Sequence, residues 1–213
     1  MTSMLGRRDA IARGLVGTTI LVSLAGLSAE IGGYALGWPE PLVELLSLSF
    51  EGNVPTWYAS ALLVLASAGF ARCAERAPGE RAWWGLAALF AYASLDEAIE
   101  IHEHLGSFVR GRGLLYFGWV IPGAAIAALI ALALSRFFFR LPPIDRRRFA
   151  IAAALYLGGA LGMELPLGFW TERAGDDNLV YGVLDWVEET LELAGVTTLL
   201  LALRARVAGE STA

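Results

Sequence analysis

The residues best suited to chemistry lie in one stretch, residues 94–104, which reads Ser-Leu-Asp-Glu-Ala-Ile-Glu-Ile-His-Glu-His. This stretch contains four carboxylates and both histidines of the chain, and it ends an apolar run that begins at Arg81. An ionised group at membrane depth costs at least ~2.5 kcal/mol on insertion scales. A membrane segment that retains so many polar groups is therefore predicted to use them.

A second acidic stretch is predicted to face the first. At ~100° per residue, five side chains of the first stretch share an arc of roughly 120°: Asp96, Glu97, Glu100, Glu103 and His104. Four later acids share an arc of roughly 100°: Asp185, Glu188, Glu189 and Glu192. Because lipid does not tolerate such faces, both are expected to point into the protein. Glu30, Glu51 and Glu164 are expected in the same half of the membrane.

The gathered carboxylates need bound cations or shared protons, since the two arginines inside predicted spans, Arg72 and Arg136, lie at the cytoplasmic ends, away from the acids. Ligands on adjacent helical turns, together with an imidazole, favour iron, manganese or zinc over calcium or magnesium. The pattern predicts a divalent transition metal with these ligands: Glu97, Glu100, His104, Glu189 and Glu192. Asp96 or Glu164 is the predicted general acid or base.

The composition indicates that an integral membrane bundle positions these residues. Hydrophobic residues make up 56% of the 213 positions, well above the balance of a soluble domain. Six segments have at least the ~20 residues that a transmembrane helix needs, at 14–36, 55–74, 82–104, 114–138, 149–170 and 179–203. The predicted fold is all-α, with six transmembrane helices in a single domain that covers 1–213. The lone Cys73 excludes an internal disulfide.

Small and aromatic residues inside these segments have structural interpretations. Gly158, Gly159 and Gly162 are expected to allow close helix approach. Pro166 is expected to kink its helix and free a carbonyl near Gly162. Trp119 is expected to be an interfacial or packing residue.

The arginines predict the orientation. With the N-terminus in the cytoplasm, thirteen arginines lie inside and three, Arg110, Arg112 and Arg173, lie outside. Cytoplasmic loops are enriched in arginine and lysine, so both termini are predicted to be cytoplasmic and the acids extracytoplasmic. The dispersed arginines favour anionic lipid headgroups over nucleic acid, and no Gly-rich phosphate loop supports nucleotide binding.

Three motifs resemble those of a group of uncharacterised bacterial multi-pass membrane proteins: EGNVPTWYAS at 51–60, SLDEAIEIHE at 94–103 and EETLELAG at 188–195. This resemblance implies the bacterial cytoplasmic (inner) membrane but no activity. A weaker similarity is to alkaline ceramidase and progestin-receptor-like membrane hydrolases, which hold zinc with a late His-x-x-x-His pair. Residues that match parts of that set are Glu51, Asn53, Ser60 or Ser94, and Asp96. The late histidine pair is replaced by Glu188, Glu189 and Glu192.

Three functions stay open at this point. The leading hypothesis is a metal-dependent membrane enzyme, a hydrolase or an oxidoreductase, that acts on a lipid-soluble substrate. The second is a proton- or cation-coupled carrier that uses the same acids. The third is a non-catalytic subunit of a larger membrane complex. Membrane lipids are expected partners in each case, and an oligomer is compatible with all three.

The orientation can be tested by cysteine-accessibility labelling. Single cysteines in the loops around 38–53, 105–113 and 171–178 should react with a membrane-impermeant reagent from outside, because these loops carry few arginines. Cysteines near positions 75 and 144 should react only from the cytoplasmic side. Labelling of those two positions from outside alone would overturn both the orientation and the location of the acids.

Overall fold

The computed structural model of the protein describes residues 2–99, 101 and 111–209, which are mostly helical and contain no strand. Its helices, in chain order, are α1 (Thr2–Leu36), α2 (Glu40–Leu46), α3 (Val54–Arg76), α4 (Ala82–Ile99), α5 (Val120–Arg140), α6 (Pro143–Leu157), α7 (Glu164–Ala174) and α8 (Leu179–Val207). A 3-10 turn (Gly113–Leu115) precedes α5, and a π-helical segment (Gly158–Met163) joins α6 to α7. The predicted all-α class is confirmed for these residues.

Four stretches of the described chain are long and apolar enough to cross a membrane: Ala10–Leu36, Val54–Arg76, Val120–Arg140 and Pro143–Ala174. They correspond to four of the six predicted spans. The other two predicted spans, 82–104 and 179–203, are represented by α4 and α8. Glu100 and residues 102–110 lie outside the described residues.

Asparagine side chains start two of these helices. Asn53 Oδ1 accepts a hydrogen bond from the backbone N–H of Thr56 at 3.1 Å, and its Nδ2 donates to the carbonyls of Glu44 and Ser47 at 2.8 and 2.7 Å. Asn178 Oδ1 accepts from the N–H of Tyr181 at 3.1 Å. Each asparagine satisfies a backbone donor that the first helical turn leaves without a partner. Asn53 also fixes the end of α2 to the start of α3.

Hydrogen bonds from serine and threonine hydroxyls hold neighbouring helices in antiparallel register. Between α3 and α4, Ser60 and Ser94 lie 2.9 Å apart, and Ser67 donates to the carbonyl of Ala87 at 2.7 Å. Between α1 and α8, the hydroxyls of Thr19 and Thr197 lie 2.7 Å apart, and those of Ser23 and Thr190 lie 2.6 Å apart. Such bonds contribute about 0.6–2 kcal/mol each inside a membrane. They place the end of α4 beside the start of α3.

Two glycines let the backbone of the α6–π region contact α8. A Cβ atom added at Gly159 would lie 2.6 Å from the carbonyl oxygen of Glu188 and 2.8 Å from Cγ of Glu192. A Cβ atom added at Gly195 would lie 2.6 Å from the backbone nitrogen of Tyr156. The predicted close approach is thus confirmed for Gly159. It is wrong for Gly158, where an added Cβ meets nothing within 4 Å.

The π-helical segment precedes Pro166, where the sequence predicts a kink. Proline has no N–H to donate to the preceding turn, and the chain widens into π geometry over Gly158–Met163. Single π-turns of this kind are frequent at functional sites. The widened turn places Gly159 against α8 and brings Glu164 to the first position of α7.

Helix α5 is tied to the rest of the protein near its two ends. At its start, Trp119 Nε1 donates to Glu164 Oε1 at 2.8 Å. At its other end, the ring centroid of Phe137 lies 4.7 Å from that of Trp83 in an edge-to-face arrangement. Arg140 forms an ion pair with Glu80 at 2.9 Å in the same region. The middle of α5 borders an open space rather than a packed neighbour.

An ion pair that the sequence does not predict lies at the end of the helical bundle opposite the acidic stretches. Asp145 is 1% exposed and is paired with Arg206. The Arg206 guanidinium lies over the ring of Trp83, 4.7 Å from its centroid. A buried carboxylate of this kind is stable only with a hydrogen-bonded counter-charge.

The contact of Gly159 with α8 can be tested with a matched pair of variants. Gly159→Ala forces a methyl group against the Glu188 carbonyl and should lower the unfolding free energy by about 1–3 kcal/mol, as overpacking does. Gly158→Ala, at the adjacent open position, should leave stability unchanged or raise it, because alanine favours helix. Thermal unfolding of both variants in the same detergent measures the difference. Equal transition temperatures would contradict the close contact.

Candidate functional site

A cavity of about 1290 Å³ lies between α5 and a wall formed by α4, α6, the π-helical segment and α8. Because α5 is held at its ends, its middle residues line the space instead of packing against a neighbour. Those residues include Ile126, Ala127, Ile130, Ala131 and Leu134. The volume exceeds the ~300–1,000 Å³ of most small-molecule pockets.

One end of this cavity, the acidic end, is rich in carboxylates from several helices. The acids that line it are Glu51, Asp96, Glu97, Glu164, Asp185, Glu188, Glu189 and Glu192. They come from the approach to α3, the last turns of α4, the start of α7 and the first half of α8. Antiparallel packing brings these chain segments to one side of the bundle. The described members of the two predicted acidic faces, Asp96 and Glu97 on α4 and the four acids of α8, therefore border the same cavity.

The carboxylates of the acidic end lie close enough to repel one another. Glu189 and Glu192 of α8 are within electrostatic range of Glu97 of α4, and Glu188 is within range of Glu164. No arginine or histidine lines the cavity among the residues that the structure describes. Repulsion in a medium of low dielectric is strong, so protons or a bound cation must offset it.

Glu188 is the most enclosed acid on the α8 face. Its side chain is 7% exposed, and its Oε2 atom is buried without a hydrogen-bond partner in the described structure. Leaving a buried acceptor without a donor costs about 1–3 kcal/mol, more for a charged one. The position therefore has room for a donor that the described residues do not supply.

Neutral hydrogen-bond donors stand among these acids. Trp119 Nε1 donates to Glu164 Oε1 at 2.8 Å, and the Tyr156 hydroxyl donates to the carboxylate of Glu192. The sequence predicts a packing or interfacial role for Trp119, and the structure adds a second role, because the indole N–H orients Glu164. Tyr156 was missed because no motif marks it. The backbone of Tyr156 lies against Gly195 of α8, and this close contact brings the hydroxyl to Glu192.

The other end of the cavity is apolar and closed by aromatic rings. Trp83 lies at the centre of this cluster, with ring centroids of Phe70, Phe137 and Phe149 at 6.1, 4.7 and 6.2 Å. The ring centroid of Phe90 lies 5.1 Å from that of Phe70. Edge-to-face and tilted pairs at these distances contribute about 0.5–1.5 kcal/mol each beyond area burial. The cavity therefore has one charged end and one apolar end.

The predicted metal ligands meet only in part. Glu97, Glu189 and Glu192 line the cavity together with the predicted acid–base residues, Asp96 and Glu164. Glu100 and His104 lie outside the described residues. Within residues 2–99, 101 and 111–209, no group of three or more His, Cys, Asp or Glu side chains is arranged to hold a metal ion. The described carboxylates thus do not form such a site by themselves.

Other candidates from the sequence have structural roles. Glu30 is 2% exposed and accepts a hydrogen bond from Ser47. Its carboxylate lies against Gly182, where an added Cβ would collide with Oε2. Ser60 and Ser94 bond to each other at the α3–α4 contact. These residues stabilise the helix packing, whereas Glu51 and Asp96 face the cavity.

Comparison with known proteins identifies a family without describing an activity. No significant match was found among curated proteins or among solved structures. The model of one family, described as a domain of unknown function (DUF8692), matches residues 15–207. The match covers most of the chain, so the protein belongs to the DUF8692 family.

Proposed function

We propose that this protein is a membrane enzyme that binds a lipid-soluble substrate in the cavity and acts on its polar part at the acidic end. The observation that carries the proposal is the division of one cavity into a carboxylate-lined end and an apolar aromatic end. An amphipathic molecule matches such a space, with its chain against the aromatic cluster and its polar group among the acids.

The membrane arrangement proposed here has six spans, both termini in the cytoplasm and the acidic end in the extracytoplasmic half. Helix α4 pairs along its length with the apolar α3 through Ser60–Ser94 and Ser67–Ala87. Helix α8 is 29 residues long and packs against α1, α3 and α6. Apolar neighbours on several sides favour crossing for both helices, and the arginine distribution supports the orientation. The bacterial inner membrane is the proposed location.

In the enzyme hypothesis, the carboxylates divide their roles. Glu97, Glu189 and Glu192, together with Glu100 and His104, would hold a divalent transition metal, which when bound would activate water or oxygen. Glu164, oriented by Trp119, would exchange a proton with the substrate, and Asp96 is the alternative acid or base. The ceramidase-type comparison would predict a hydrolase. The described serines do not support that reading, since Ser60 and Ser94 bond to each other at the α3–α4 contact.

A proton- or cation-coupled carrier is the second candidate, and one observation favours it. The described acids form no group arranged for a metal, but Glu97 lies within electrostatic range of Glu189 and Glu192, and Tyr156 lies beside Glu192. Groups of this kind mark proton and ion pathways in membrane proteins. Membership of a larger complex as a non-catalytic subunit is compatible with either arrangement.

Occupation of the cavity can be tested by filling it. A long-chain alcohol that carries a photoactivatable diazirine should label cavity-lining peptides of the purified protein in lipid nanodiscs. Ala127→Trp places an indole in the cavity, so labelling should fall several-fold because the ligand loses its space. Ala128→Trp, on the exposed neighbouring residue, is the control and should label normally. Equal labelling of both variants would contradict a lipid-soluble substrate in this cavity.

Metal content separates the enzyme from the carrier. Protein purified without chelator should contain about one or two equivalents of iron, manganese or zinc, with less retained at acid pH, because ligands must be deprotonated. Glu189→Ala should lose the metal, whereas Glu44→Ala, which removes an exposed acid, should retain it. Elemental analysis provides the measurement. A folded but metal-free protein would reject the metal-dependent enzyme in favour of the carrier.

A further inference from the structure

The enclosed carboxylate of Glu188 is the starting point for identifying the substrate class. Its side chain is 7% exposed and lines the acidic end of the cavity, and its Oε2 atom has no hydrogen-bond partner in the described structure. Glu188 is not among the predicted metal ligands. A buried carboxylate oxygen is strongly stabilised by a charged N–H donor, so this atom points to a ligand that carries one.

The surroundings of Glu188 are rich in carboxyl groups. Glu164, Asp185 and Glu192 lie within electrostatic range of its carboxylate. Among the described residues that line the cavity there is no arginine or histidine, and the chain contains no lysine. An anionic headgroup would add to this repulsion, whereas a cationic headgroup would offset it in place of shared protons.

Aromatic side chains indicate an organic cation rather than a metal ion at this position. Tyr116, Phe117, Trp119 and Tyr181 line the same end of the cavity as Glu188. The faces of aromatic rings attract ammonium groups, most strongly where water is excluded. A metal ion would instead need several oxygen or nitrogen ligands at one point, and the described acids are not so arranged.

The size of the cavity and its apolar wall indicate that the ligand also carries a hydrocarbon chain. The volume of about 1290 Å³ is far more than a small ammonium ion requires. From the acidic end the wall continues along Ile126, Ile130 and Leu134 of α5 to the aromatic cluster around Trp83. This continuous apolar wall would bind a hydrocarbon chain by burying its surface.

We propose that the substrate is a long-chain cationic amphiphile, with a protonated amine head at Glu188 and Asp185 and an apolar chain that extends toward Trp83. The inference rests on the proposed function, since it names the class of lipid-soluble molecule that the cavity accepts. It assigns Glu188 to recognition of the headgroup and leaves Glu97, Glu189 and Glu192 for chemistry or ion binding.

Competition among matched amphiphiles tests the headgroup on the unaltered protein. In nanodiscs of zwitterionic lipid, an octadecylamine that carries a diazirine should label cavity-lining peptides. Dodecylamine should displace this label at least about tenfold more effectively than dodecanol or dodecanoic acid, a ratio that corresponds to one charge-assisted interaction. The chain length is the same in all three competitors, so the ranking reports the headgroup alone.

Variants then locate the headgroup. Glu188→Gln keeps the shape of the side chain and removes its charge, so affinity for dodecylamine should fall about tenfold. Asp185→Asn is a second variant on the same face and should also weaken binding if Glu188→Gln does not fold. Glu44→Gln removes an exposed acid elsewhere and should bind normally. Thermal unfolding of each variant separates loss of binding from loss of structure.

The outcomes distinguish this inference from the proposed function. If the three competitors displace the label equally and Ala127→Trp prevents labelling, the cavity binds lipid-soluble molecules but the amine headgroup is rejected. Preference for dodecanoic acid, or unchanged dodecylamine affinity in folded Glu188→Gln and Asp185→Asn, would also overturn the inference. If no competitor displaces the label and Ala127→Trp has no effect, both proposals fail.

Discussion

Direct backbone contact between the π-helical segment and α8 determines where the acidic side chains of α8 can point. At Gly159 the segment lies against the Glu188 carbonyl, and one turn away Gly195 admits the backbone of Tyr156. Any larger side chain at either position would separate the helices. Because the contact fixes the rotation of α8, it directs Glu188 and Glu192 to the cavity wall and brings the Tyr156 hydroxyl to Glu192. Packing of small residues thus controls the electrostatics of the site.

The cavity itself follows from how α5 is attached. A polar tie between Trp119 and Glu164 holds its first turn, and an aromatic contact between Phe137 and Trp83 holds its last. The first contact is a hydrogen bond at the acidic end of the cavity, and the second is an aromatic contact at the apolar end. In a membrane, hydrophobic burial does not force α5 inward along its middle, because lipid chains are as apolar as the facing side chains. The space between the ties can therefore persist.

Buried acids at the two ends of the bundle have different neighbours. At one end, Asp145 is paired with Arg206, whose guanidinium also stacks over Trp83. This arrangement gives the buried carboxylate a counter-charge. At the acidic end, the described cavity wall contains no arginine or histidine, and the neighbours of the carboxylates are tyrosine and tryptophan. Such neighbours tolerate changes in protonation or the arrival of a cation. The two ends thus differ in the partners that the described residues give to a buried acid.

The helical class and the inward face of α8 were determined by the sequence alone. Hydropathy locates the apolar segments, and a 3.6-residue period is enough to place Asp185, Glu188, Glu189 and Glu192 on one side. Periodicity reports the face of a helix but not its neighbour, so only the tertiary structure decided that Tyr156 meets Glu192 or that Trp119 orients Glu164. It likewise separated Gly159, which contacts α8, from the open Gly158. The cavity could not be foreseen because it depends on the space between helices, which no single segment encodes.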